Sequence, residues 1–224
     1  MRPKPVYLRS TDLPSKVESN LRFFLDQYNE IHGRYPPNCH TLMNLFSQLF
    51  DETLFLVFRK INLVKGRIIP VREEGNKWGY EFHIDSNVHP YVQRVTITHE
   101  LGHRFLAVYP SHQFPTTYSQ MDWEIAEFWC DLIAMRILCP KEILEDTLRK
   151  EYYRIQGQPS LPFGAYASLK ETHSMETRVL VRTAGRLRLP LADFIPYLKI
   201  LFPNMRLRAI VALFDTMIPK LSAV

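Results

Sequence analysis

Cysteine and glycine are scarce in this chain, and long apolar runs are missing. Only 3 cysteines occur among 224 residues, at Cys39, Cys130 and Cys139. Their odd number and irregular spacing build no disulfide framework and favour a reducing compartment. Cys130 and Cys139 sit among apolar neighbours and read as small buried hydrophobes. The 8 glycines and 16 prolines follow no period, which excludes collagen-like and low-complexity chains. No stretch of about 20 apolar residues exists, so no helix is expected to span a membrane. The first residues, Met1 to Arg9, lack the apolar centre of a secretory signal. Together these absences give the expectation of a cytoplasmic protein.

The composition that remains is that of a folded protein. Hydrophobic residues make up 46% and charged residues 23%, which excludes intrinsic disorder. The formal charge of +5 is unevenly spread. Residues 150–224 carry 11 Lys and Arg against 5 Asp and Glu, a net of +6. Residues 1–149 carry 17 against 18, a net of −1. The basic third raises the question of an acidic or nucleic-acid partner.

Periodicity predicts helices over 13–33 and 38–50, the second carrying Leu42, Leu45, Phe46, Leu49 and Phe50. Strands are predicted over 54–64, 67–72 and 78–84, with the Lys65-Gly66 pair turning the first into the second. Helices over 91–107, 121–139 and 141–153 follow, with a loop at 108–120. The Gly- and Pro-containing loop at 156–164 is the best boundary. The expected division is a core with N-terminal helices at 1–155 and a helical, basic subdomain at 156–224.

The chemistry is carried by His99-Glu100-Leu101-Gly102-His103. Two histidines at i and i+4 project from one helix face, at the separation that two imidazoles need to share one tetrahedral zinc. Glu100 lies one step round the helix. There it can take a proton from water and later pass one to a leaving amine. A chain of this composition produces the pattern by chance only about 0.02 times. Two ordinary surface histidines are therefore the weaker reading. The site needs a third protein donor and an open position. Glu127 and Asp131, at i and i+4 in the next, otherwise apolar helix, supply a candidate. Two carboxylates there are costly unless paired or bound to a metal. Glu127 suits the ligand, and Asp131 suits an outer acceptor that fixes a histidine tautomer. Glu124 is the runner-up ligand.

The sequence here resembles the ImmA/IrrE metallopeptidases, within the wider gluzincin pattern of an HExxH helix followed by a Glu-x-x-x-Asp helix. The residues that carry the resemblance are Arg94 to His103 and Glu127 to Pro140, the latter ending in Leu138-Cys139-Pro140. It covers about residues 54–145. Asp131 stands where the family usually has Asn, and Trp129-Cys130 replaces a Glu-Ala pair. The resemblance implies an α+β, zincin-like fold: a small sheet plus active-site and ligand helices, followed by a helical C-terminal subdomain. It implies one Zn2+ per chain, or another divalent ion, held by His99, His103 and Glu127, with Glu100 as base. It also implies cleavage of a protein substrate, typically a helix-turn-helix repressor.

Other residues compete for accessory roles. His112 and Tyr118 in the 108–120 loop, and His173, suit an oxyanion donor and equally suit plain surface positions. Arg178, Arg182 and Arg186 recur every four residues. A solvated helix face explains them better than direct nucleic-acid binding does, since no stacking pattern accompanies them. The functional expectation is a zinc-dependent endopeptidase acting on a regulatory, repressor-type protein. The alternative is a catalytically silent regulator that uses the same frame to bind a protein or DNA. The intact His-Glu-x-x-His argues against it, because binding alone does not need Glu100.

Overall fold

The computed structural model describes residues 13–33, 35–72, 78–107, 120–156 and 175–201. These form an α+β structure with seven helices and a small sheet among the described residues. They fall into two compact units, Met1–Leu138 and Cys139–Val224. The loop at 156–164, where the sequence suggests a boundary, lies outside the described residues from 157 onward.

In the first unit, α1 (Ser15–Ile31) and α2 (Cys39–Phe50) lead into the sheet. Helix α1 buries Val17, Leu21, Phe24 and Tyr28, a stripe at helical spacing. At the start of α2 the Asn38 side chain accepts a hydrogen bond from the His40 amide at 2.9 Å, which satisfies one orphan donor of the first turn. The strands are β1 (Thr53–Arg59), β2 (Gly66–Arg72) and β3 (Trp78–Asp85). Their spatial order is β1-β3-β2. Strand β3 runs parallel to β1, with Leu56 opposite Phe82, and antiparallel to β2, with Ile68 opposite Phe82. The Lys65-Gly66 region does reverse the chain, but β3 inserts between the two strands it joins. The first strand ends at Arg59 rather than at Val64, and Leu63 and Val64 are exposed.

Helix α3 (Pro90–Ala107) packs on β2 and β3, and α4 (Gln120–Leu138) packs on α3. Phe82 and Ile84 are fully buried. The far end of α3 is anchored by Phe105, whose ring meets Phe24 and Phe46 edge-on at 5.3 and 4.9 Å. Such edge-to-face contacts add to the area that they bury. Arg104 holds the same turn from outside. It donates from Nε to Glu52 Oε2 at 2.8 Å and lies 3.5 Å over the Tyr80 ring. The site helix is thus fixed to α1 and α2 by apolar contacts and to the sheet by a charged clamp.

The second unit contains α5 (Lys141–Gln156), α6 (Met175–Leu187) and α7 (Leu191–Leu201). Leu144, Leu148 and Ile155 on α5 are buried, as are Val179, Leu180, Ala184 and Leu187 on α6. The buried carboxylate of Glu151 accepts from Arg154 at 2.9 Å and from Arg186 at 3.0 Å. Part of the arginine series noted in the sequence is therefore neutralised within the fold. No helix of the described residues is long and apolar enough to cross a membrane.

Candidate metal centre

His99 and His103 stand one turn apart on α3 and are partly buried, while Glu100, Leu101 and Gly102 between them are buried. Their rings meet edge-on at 5.0 Å. Helix α4 brings its carboxylates to the same place. Glu127 Oε2 lies 3.1 Å from His99 Nε2, and Glu127 Oε1 lies 3.3 Å from His103 Nε2. Asp131 Oδ1 lies 2.7 Å from His99 Nδ1, on the other side of that ring. The histidine contacts run to Glu127 and Asp131 rather than to Glu124, which is exposed. His112, Tyr118 and His173 lie outside the described residues.

The approach of the two helices depends on Gly102. A Cβ on that residue would stand 2.9 Å from Cys130 Cα and 3.1 Å from its carbonyl oxygen. Backbone atoms cannot move aside as a flexible side chain does, so only glycine lets α4 come this near. Gly66 does similar work at the edge of the sheet. A Cβ there would lie 2.4 Å from Thr96 Cγ2 and 3.3 Å from Glu100 Oε1. Strand β2 therefore passes directly beside the Glu100 carboxylate.

The electrostatics follow from this packing. Burial disfavours the charged His99 ring, but hydrogen bonds to Asp131 and Glu127 outweigh it and raise the pKa to about 10. The histidines in turn hold Glu127 down at about 2, His103 more strongly than His99. Burial pushes the Glu100 carboxyl above its ordinary value, against the pull of His103 and His99.

Two different third donors stand around the histidine pair. Glu127 touches both rings. Cys130, fully buried one turn further along α4, also offers its sulfur within 4.8 Å of a ring nitrogen of each histidine. Burial first, then the nearby carboxylates, keeps its thiol well above the usual pKa. Donors about 2.1 Å from one ion at tetrahedral angles lie about 3.4 Å apart. The Glu127 contacts of 3.1 and 3.3 Å agree with that spacing. Two imidazoles and a carboxylate are a donor set suited to a divalent ion such as zinc. The contacts that now fit a proton between ring and carboxylate suit a cation once the proton leaves.

Two neighbours of the site were not singled out in the sequence. Trp123 stacks over His103 with ring centroids 5.9 Å apart and planes 21° from parallel, and it is half exposed. Its position four residues before Glu127 was the available signal, because it places both on one face of α4. Gly66 reads in the sequence only as a turn residue, since its closeness to Glu100 is made across the fold.

Residues 56–197 match the family described as Peptidase M78, the IrrE N-terminal-like domain. The match covers more than half of the chain and includes both site helices. No curated protein matches the sequence closely enough to count as a relative. The donor cluster, the α+β fold around it and the extent of this match agree, and the chain belongs to the IrrE N-terminal-like domain family of peptidases.

Proposed function

We propose that this protein is a zinc-dependent endopeptidase that hydrolyses a peptide bond in a protein substrate. The observation that carries the reading is the convergence of His99, His103 and Glu127 beside a buried Glu100. His99, His103 and Glu127 hold the ion, and Asp131 fixes the His99 ring by accepting from Nδ1. When bound, such an ion supplies a Lewis acid that polarises a carbonyl and makes water nucleophilic near neutral pH.

Glu100 moves the proton. Its raised pKa brings the carboxyl closer to the operating pH, which is the condition for a group that both accepts and returns a proton. It takes a proton from the attacking water and delivers one to the departing amine nitrogen. Strand β2 supports a peptide substrate. Among the described residues it has a strand neighbour on one side only, β3, and it runs past Glu100. An extended peptide can pair with such an edge through its main chain. The repressor-type substrate and the cytoplasmic setting are supported by the family resemblance and by the three free cysteines.

The test compares wild type with Glu100→Gln. Both proteins are expected to carry one zinc per chain by metal analysis. Only wild type is expected to cleave a co-encoded repressor-type protein, the variant losing at least about 100-fold in rate. Absence of stoichiometric metal from both proteins overturns the reading.

A further inference from the structure

We propose that the second unit carries a binding site for a small phosphate-bearing ligand, in the cavity that Arg182, Gly185 and Arg186 of α6 share with Glu151 of α5. The inference does not depend on the metal centre. Among the described residues these four line an open cavity of about 290 Å³, close to the lower end of small-ligand sites. Three observations carry it. First, Arg182 and Arg186 stand one turn apart on α6, so both guanidiniums serve one face. Second, one of them is held in place from behind. Arg186 donates from Nε to Glu151 Oε1 at 3.0 Å, and Arg154 donates from Nη1 to the same buried oxygen at 2.9 Å. The terminal nitrogens of Arg186, and the whole Arg182 guanidinium, have no partner among the described residues. Third, Gly185 lies between the two arginines in the last turn of α6, where glycine is a poor helix former. A Cβ there would meet no atom within 4 Å, so packing does not require its absence. The left-handed position just past the helix, which rewards glycine, is filled by Arg188 at φ 55. The glycine sits instead at the cavity, where it leaves the backbone bare for close approach of a ligand.

Charge selects the ligand. Arg154, Arg182 and Arg186 against Glu151 leave a formal +2 at the cavity. A phosphate monoester carries up to two negative charges near neutral pH and matches that excess, whereas a single carboxylate leaves half of it uncompensated. Guanidinium forks also pair with phosphate oxygens two bonds at a time. The C-terminal end of α6 opposes an anion, but only with a partial charge of about half a unit. A duplex presents its phosphates along an extended line, which calls for a row of cations. Here the cations converge on one recess, which suits a small ligand.

The experiment titrates the full chain with inorganic phosphate and with pyrophosphate at fixed ionic strength, read by calorimetry and by thermal midpoint. Wild type should bind with a Kd below about 1 mM, and its midpoint should rise. Arg182→Ala should weaken binding at least about tenfold and keep the unligated midpoint, since no partner among the described residues is lost. Gly185→Leu should fill the cavity and abolish binding while its unligated midpoint holds or rises, because leucine is the better helix former. Arg149→Ala removes the same charge from an arginine that pairs with Asp146 on α5, and it should bind as wild type does. Phosphate taken up by a bound metal ion survives Arg182→Ala and Gly185→Leu. Binding that persists in both variants therefore overturns the site, as does a wild type that binds neither probe. A short DNA duplex supplies the last arm. Duplex binding that Arg182→Ala weakens, in a protein that binds neither small probe, assigns the arginines to nucleic acid and overturns the small ligand.

Discussion

His99 is pulled from two sides. Asp131 accepts from Nδ1 at 2.7 Å while Glu127 meets Nε2 at 3.1 Å. In the metal-free protein these carboxylates hold a proton on the ring up to about pH 10. A metal ion must displace that proton before it can use Nε2. Metal affinity is therefore expected to rise roughly tenfold or more per pH unit between pH 7 and 9, where one proton at least leaves for each ion bound. In Asp131→Ala the strongest upward pull on the ring is gone, so the climb should level off at a lower pH. Competition against a chelator of known affinity measures both curves. A pH-independent affinity in wild type sinks the assignment of His99 as a ligand. At this scale the sequence was legible where the spacing lies within one helix. His99, Glu100 and His103 declare themselves, and Glu127 shows as a carboxylate in an apolar helix. Cys130 reads in the sequence as a small buried hydrophobe and is one, packed against Gly102 where α3 and α4 meet.

Helices α3 and α4 meet at the histidine cluster only because Gly102 lets their backbones approach. Alanine at Gly102 gains about 1 kcal/mol of helix propensity. It also places a methyl group 2.9 Å from the Cys130 Cα, and overpacking of this kind costs about 1–3 kcal/mol. The backbone atoms of α4 have no rotamer to change, so the clash should win. Gly102→Ala is expected to lower the urea midpoint and to weaken metal binding together, since pushing α4 outward carries Glu127 from both histidines. Unchanged stability with unchanged affinity would mean that the approach is looser than the contacts imply. The element boundaries were largely legible, because helical periodicity and turn residues are local. Strand order was not. Lys65-Gly66 reads as the turn of a simple hairpin, yet β3 takes the central position between β1 and β2. That choice is made by pairing across the sequence and by burial of Phe82 and Ile84, both absent from any local pattern.

Over the whole molecule, the excess charge and the candidate metal centre belong to different parts. Every residue of that centre lies in Met1–Leu138, while the excess of +6 belongs to residues 150–224. Some of that excess is spent internally, where Glu151 takes both Arg154 and Arg186. Stability should therefore respond to metal and pH through the centre in the first unit. The raised His99 pKa gives the metal-free fold a contribution that is complete below about pH 6.5 and lost as pH rises through about 10. The depressed Glu127 pKa gives one that is present above about pH 4.5 and lost as pH falls towards 2. Together they favour the metal-free protein most between those two ordinary values, about pH 4.5 to 6.5. Metal binding has the opposite trend, since it gains as the His99 proton is lost. An ion at a hundred times its Kd adds about 2.7 kcal/mol to the folded state. The gap in thermal midpoint between zinc-loaded and chelator-treated protein should therefore widen from pH 6 to pH 9 at fixed free zinc. Glu100→Gln should keep that gap, because Glu100 is not among the donors. His103→Ala should close it. Calorimetric scans of the three proteins at both pH values measure this, and a gap that persists in His103→Ala would place the stabilising ion elsewhere.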